Sequence, residues 1–257
     1  MLTSLQNPLV KQFKKLHRAK ERREQQLFLL EGTHLIEAAA AIDAVFITIC
    51  YTEAWQHQHP ALWEQIQARS QRTELVSPEI IKAIATTVEP DGIVATVDRF
   101  HTLPVKFSQL GLALETIQDP GNLGTIIRTA AAAGLEGLWL SEDCADIENL
   151  KVLRASAGQW FRLPMSIRSN LKEDIAIAKS QGMQIIATVP TANQTYWEID
   201  FSQPSLILIG NEGAGLSTEL VELADVQVTI PLTPGVESLN VAIATGLILY
   251  EARRQQR

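Results

Sequence analysis

Cysteine is scarce. The 257-residue chain has two, Cys50 and Cys144, far apart. That excludes a disulfide framework and a zinc spacing, and it points to buried thiols in a reducing cytosol. Long apolar runs are absent: none approaches the ~18 residues of a membrane span, so no membrane partner is expected. The first residues, MLTSLQNPLVKQFKKLHRAKERREQQ, are basic but carry no apolar stretch, so they do not read as a secretory signal, and a cytoplasmic location is expected. Two phosphate-binding signatures are also missing, GxGxxG and a loop ending Gly-Lys-Ser/Thr. Their absence weakens a mononucleotide-binding α/β enzyme. His57-Gln58-His59 has no Cys or acidic cluster beside it, so no metal is expected.

What is present is an ordinary globular composition, 46% hydrophobic, with an uneven charge. The net charge is −7. Residues 1–30 nevertheless hold Lys11, Lys14, Lys15, Arg18, Lys20, Arg22 and Arg23 against only Glu21 and Glu24. That is a local excess of five positive charges on a body of −12. A basic arm on an acidic body suits contact with a polyanion, and a plain solvated helix face is the competing reading. The five tryptophans read as core or interface.

Strand and helix patterns alternate along the whole chain. Leu9 to Gln26 predicts one charged helix, Leu27 to Gly32 a short strand, and Thr33 to Ala41 a helix. Ala44 to Tyr51 predicts a strand and Pro60 to Arg69 a helix. Ser77-Pro78 opens another helix, with Ser as N-cap and Pro at the first position. Ile93 to Val97 closes this half as a strand. Residues 1–98 are therefore expected to form a small α/β domain, 99–111 a linker, and 112–257 a second domain. In the second half, strands such as Leu206 to Ile209 are apolar on both faces, which marks a central, mostly parallel sheet covered on both sides. Ile147 to Phe161 reads as one helix. The last helix, from Val241 to Tyr250, is apolar almost all round and is expected to be buried.

Three loops in that half leave strands with unusual composition, and such sheets bind ligands at the carboxyl ends of their strands. The first is Gln118 to Gly124, followed by a helix starting near Asn122 with Arg128 one turn in. Asn122 reads equally as an N-cap. The second is Ile209 to Ser217, with three glycines in a tight turn around Glu212. The third, Pro231 to Asn240, is bracketed by prolines and carries Glu237, Ser238 and Asn240, of which Ser238 or Asn240 suits the N-cap of the last helix.

Asn122, Arg128, Gly210, Glu212, Ser238 and Asn240, in this order and spacing, resemble the three motifs of the SpoU (TrmH) family of RNA ribose 2′-O-methyltransferases. More loosely, FLLEGTHLIEAA and SPEIIKAIATTVEPDGIVATV resemble that family's L30e-like substrate-binding domain. The resemblance implies an α/β SPOUT domain with a deep trefoil knot, a homodimer, and S-adenosylmethionine as cofactor. It implies catalytic-site roles for Asn122, Arg128, Glu212, Ser238 and Asn240. It places Gly210, Ile230 and Leu239 on the cofactor, with Thr188 and Leu232 nearby. The implied partner is RNA: large-subunit (23S-type) ribosomal RNA is the expected substrate, with the same chemistry on tRNA as the alternative.

Overall fold

The computed structural model describes residues 1–99 and 105–256. Residues 100–104, part of the expected linker, lie outside the described residues, as does Arg257. The chain forms two compact units. The first comprises residues 1–101 and 146–161, the second residues 102–145 and 162–257.

The first unit is built on a four-stranded sheet ordered β1 (Leu27–Glu31), β4 (Ile93–Asp98), β2 (Phe46–Tyr51), β3 (Thr73–Leu75). Its first two pairings are antiparallel and the last is parallel. The expected N-terminal helix is two helices, α1 (Pro8–Lys15) and α2 (Ala19–Gln25). Asn7 caps α1 through its side chain. The break at residues 16–18 lets Leu16 stay buried while Arg22 turns inward. Next come α3 (Thr33–Ala40), α4 (Glu53–Gln58), α5 (Pro60–Gln67) and α6 (Pro78–Ile84). Sequence periodicity did not indicate the short α4. Ser77 stands at the N-cap position of α6, but its side chain makes no capping bond.

Residues 146–161 pack in the first unit, although Ile147 to Phe161 reads from the sequence as one helix of the second half. They form only a short helix, α8 (Leu150–Ala155), and a 3-10 turn (Gln159–Phe161). Charge pairing and ring packing hold them there. Arg22 donates to Asp146 at 2.5 Å, and Arg99 to both Glu148 oxygens at 2.8 Å. Arg154 reaches the buried Glu31, and Phe28 packs on Trp160. Such pairs are invisible to periodicity because the partners lie far apart in sequence.

The second unit carries a seven-stranded sheet. Its order is β7 (Met165–Arg168), β6 (Leu138–Ser141), β5 (Leu110–Leu114), β10 (Ser205–Ile209), β8 (Gln184–Thr188), β11 (Val226–Thr229), β9 (Gln194–Thr195). Every neighbouring pair is parallel. Alternation along the strands sends Ala113, Ile185, Leu206 and Leu208 to one face. There they pack with Leu171, Ile175 and Ala178 of α9 (Leu171–Ser180) and Leu220 of α10 (Thr218–Leu223). Val105 and Phe107 join that core, so the expected linker is structured from residue 105 onward. On the other side, α7 (Pro120–Ala133) packs against α11 (Val241–Gln255). In register, Ile209 pairs with Leu114, Leu208 with Ala187, and Val228 with Thr188. Because all are parallel, the loops after β5, β8, β10 and β11 emerge along one edge.

Candidate active site at the strand ends

The loops after β8, β10 and β11 wall a cavity of about 660 Å³ at that edge, within the range of roughly 300–1,000 Å³ usual for small-molecule sites. Thr188, Gly210, Ile230, Leu232 and Leu239 all line it, as do Glu212 and Ser238. Asn122, Arg128 and Asn240 do not line it; the first and last sit in the hydrogen-bond chain below.

Gly210 directly follows β10, and its missing side chain makes the turn possible. A Cβ there would meet the backbone of Gly215 and Leu216 at 2.2–2.4 Å. The space that glycine frees is thus filled by its own turn. Gly215 takes φ +73°, the left-handed region that favours glycine. Between them, Asn211 shapes the turn. Its Oδ1 accepts from the N–H groups of Gly213 and Ala214, both at 2.9 Å, and its backbone pairs with Gly215 in both directions at 3.0 Å. Asn211 stands inside the Gly-Asn-Glu-Gly motif of this turn, but the sequence assigned it no role of its own. The signal was available, since Asn readily hydrogen-bonds the backbone two residues on in a turn.

The helix after the first loop starts two residues before the expected Asn122. Pro120 is its first-turn proline and Asp119 its N-cap, accepting from Gly121 and Asn122 at 2.6 and 2.9 Å. That leaves the Asn122 side chain free of capping duty. Its Nδ2 donates to Glu212 Oε1 at 3.1 Å, and its Oδ1 accepts from Asn240 Nδ2 at 2.9 Å. Asn240 in turn caps α11, accepting from Ala242 and Ile243. One chain of hydrogen bonds, Glu212–Asn122–Asn240, therefore ties the three loops together. Ser238 stays exposed on the cavity wall, and the cap of α11 is Asn240.

Glu212 also accepts from the N–H groups of Gln118 and Asp119 at 3.2 and 3.1 Å. Partial burial pushes its carboxyl up. The hydrogen bonds from Asn122 and from the backbone outweigh that effect and hold it below the usual carboxylate range. A carboxylate so fully engaged ties loops well and accepts protons poorly. Arg128 lies six residues beyond Asn122 on α7, about 9 Å along the axis. It is exposed, and among the described residues its side chain forms no hydrogen bond or ion pair.

The fold and the cavity define an α/β domain that binds a small molecule at the carboxyl ends of its strands. The SpoU rRNA Methylase family matches residues 109–250, and the MRM3-like substrate binding domain matches residues 7–95. A protein of Synechocystis sp. named an uncharacterized tRNA/rRNA methyltransferase is 52% identical over 99% of this chain and 94% of its own length. The 23S rRNA (guanosine(2553)-2′-O)-methyltransferase RlmP of Bacillus subtilis is 35% identical over 98% of both chains. The crystal structure of an AdoMet-bound rRNA methyltransferase from Sinorhizobium meliloti superposes with a TM-score of 0.87 at 33% identity, covering 100% of this chain and 98% of that one. The chain belongs to the SpoU family of rRNA methylases.

Proposed function

We propose that the protein transfers a methyl group from S-adenosylmethionine to a ribose 2′-hydroxyl of RNA, with large-subunit ribosomal RNA as substrate and tRNA as the second choice. The observation that carries this reading is the Glu212–Asn122–Asn240 bridge beside the cavity, which joins all three family motifs at one place. The full-length match to a 23S rRNA enzyme supports the ribosomal substrate.

The cavity residues fit the cofactor. Ile230, Leu232 and Leu239 offer apolar contact for a nucleoside, and the strand-end backbone around Gly210 offers polar groups. The Glu212 and Glu237 carboxylates on the same wall favour a cation. When bound, S-adenosylmethionine supplies a methyl carbon activated by its sulfonium. In-line transfer then depends on alignment, which the tied loops provide. Arg128, exposed and unpaired among the described residues, suits a bidentate grip on an RNA phosphate. A guanidinium holds its proton, so it orients the ribose and does not act as the base. Glu212 holds the loops; the alternative that the family resemblance implies is that Arg128 itself acts on the 2′-hydroxyl with help from an RNA phosphate.

The first unit is the RNA-binding partner in this reading, with the exposed Lys11, Lys14, Lys15, Arg18, Lys20 and Arg23 as one phosphate contact. Arg22 is excluded from that set, because it is 3% exposed and paired to Asp146. The protein works as a homodimer through the exposed apolar side of α11, and the second unit carries the family's trefoil knot. A cytoplasmic location accords with the two free thiols. Among the described residues no helix is long and apolar enough to cross a membrane.

The test is transfer of labelled methyl from S-adenosylmethionine to transcripts of 23S rRNA and tRNA, with the modified ribose mapped. Labelled 2′-O-methylribose is expected on rRNA. Label on neither RNA, or only on bases, overturns the reading. In the same assay at sub-saturating RNA, raising the salt should reduce transfer steeply, and a flat response removes the basic helices from the contact.

A further inference from the structure

Thr116, just before the first loop, has φ +56°, a left-handed conformation unusual for a β-branched residue. Three neighbours grip it. Its N–H donates to Ser141 Oγ at 2.9 Å, and its hydroxyl donates to Asp143 Oδ2 at 2.6 Å. Its carbonyl accepts from Asn211 Nδ2 at 2.8 Å. Ser141 donates in turn to Asp143 Oδ1 at 2.5 Å, so both Asp143 oxygens are engaged. Strain of this kind persists where the surroundings over-determine it, and it gathers at functional sites.

The carbonyl of Thr116 holds the same Asn211 whose Oδ1 shapes the Gly210–Gly215 turn. That turn carries Glu212, which holds Asn122. Next to Thr116, Glu115 accepts from Ser217 N–H at 2.7 Å and secures the far end of the turn. Neither Thr116 nor Asp143 lines the cavity. The geometry points to Asp143 as a positioning residue: by clamping Thr116 in its left-handed state it aims the Thr116 carbonyl at Asn211 and fixes the turn that builds the active site. The effect on transfer rests on the proposed methyltransferase function; the effect on the turn does not.

The experiment is a double-mutant cycle of Asp143→Ala and Thr116→Gly, chosen because glycine adopts a positive φ without a clamp. Amide hydrogen exchange at residues 211–215 of the full chain is read first. In Asp143→Ala the Gly213 and Ala214 amides should exchange at least about tenfold faster. In the Thr116→Gly background, adding Asp143→Ala should change their exchange little. Transfer to RNA is read second: kcat should fall by about tenfold or more in Asp143→Ala, since small misplacements are costly. The same substitution added to Thr116→Gly should cost much less. Asp143→Asn, which keeps an acceptor, should rescue most of the loss, and Asp143→Leu, which keeps the volume without an acceptor, stands in if the alanine variant does not fold. Unchanged exchange in Asp143→Ala, or an equal effect in both backgrounds, overturns the clamp. A wild-type chain that shows the exchange pattern but transfers no methyl sinks the functional reading alone.

Discussion

At the scale of residues, the site separates side chains that hold from side chains left to act. Asp119, Asn211 and Asn240 spend their oxygens on backbone N–H groups, and Glu212 spends both oxygens on the loop they form. Arg128 alone among the catalytic candidates carries an exposed charge whose side chain has no partner among the described residues. Replacing it by Ala should therefore cut transfer by about a hundredfold or more, the range seen when one charge-stabilising donor is lost, while calorimetric binding of S-adenosylmethionine stays near wild type. Turnover at the wild-type rate in that variant would take Arg128 out of the mechanism. The identities of Asn122, Glu212 and Asn240 were legible because their residue types and spacing form motifs. What each one does was not. The sequence offered Asn122 as a helix cap, and the cap proved to be Asp119, because Pro120 starts the helix earlier. Arg22 likewise read as one more surface cation until its partner, Asp146, came into view.

At the scale of elements, α11 departs most from its pattern. Its near-uniform apolarity predicts full burial, yet only one side is buried, through Ala242, Thr245, Ile248, Leu249 and Ala252. Ile243, Leu247 and Tyr250 are 56%, 40% and 54% exposed, at the i, i+4, i+7 spacing of a single stripe. Apolarity says that a surface is to be covered, without saying by which chain, and a self-complementary patch suits a two-fold dimer. Leu247→Glu should place two carboxylates at such an interface and shift the protein toward monomer in sedimentation at micromolar concentration. An unchanged sedimentation profile would locate any dimer contact elsewhere. The other element-level differences share one cause. The break between α1 and α2, the shortness of α8 and the extra strands β7 and β9 are set by distant partners, and periodicity registers only neighbours.

At the scale of the whole molecule, chain order and spatial order disagree. Residues 146–161 leave the second unit's sequence to pack in the first, and β10 lies between β5 and β8, which precede it in the chain. The inferred trefoil knot belongs to this scale. Stretching the second unit by its ends in optical tweezers should stop short of the ~3.6 Å per residue of a fully extended chain, the missing length being held in the tightened knot. Extension to the full contour length would show an unknotted backbone.

By itself the sequence determined the α/β class, the buried central strands and the three loops with their reactive residue types, because these follow from local periodicity, turn chemistry and motif spacing. Only the tertiary structure decided which side chains cap and which bridge, that 146–161 joins the first unit, and that the α11 stripe stays uncovered within one chain. Those outcomes depend on hydrogen bonds and contacts between residues distant in sequence, and no local pattern encodes them.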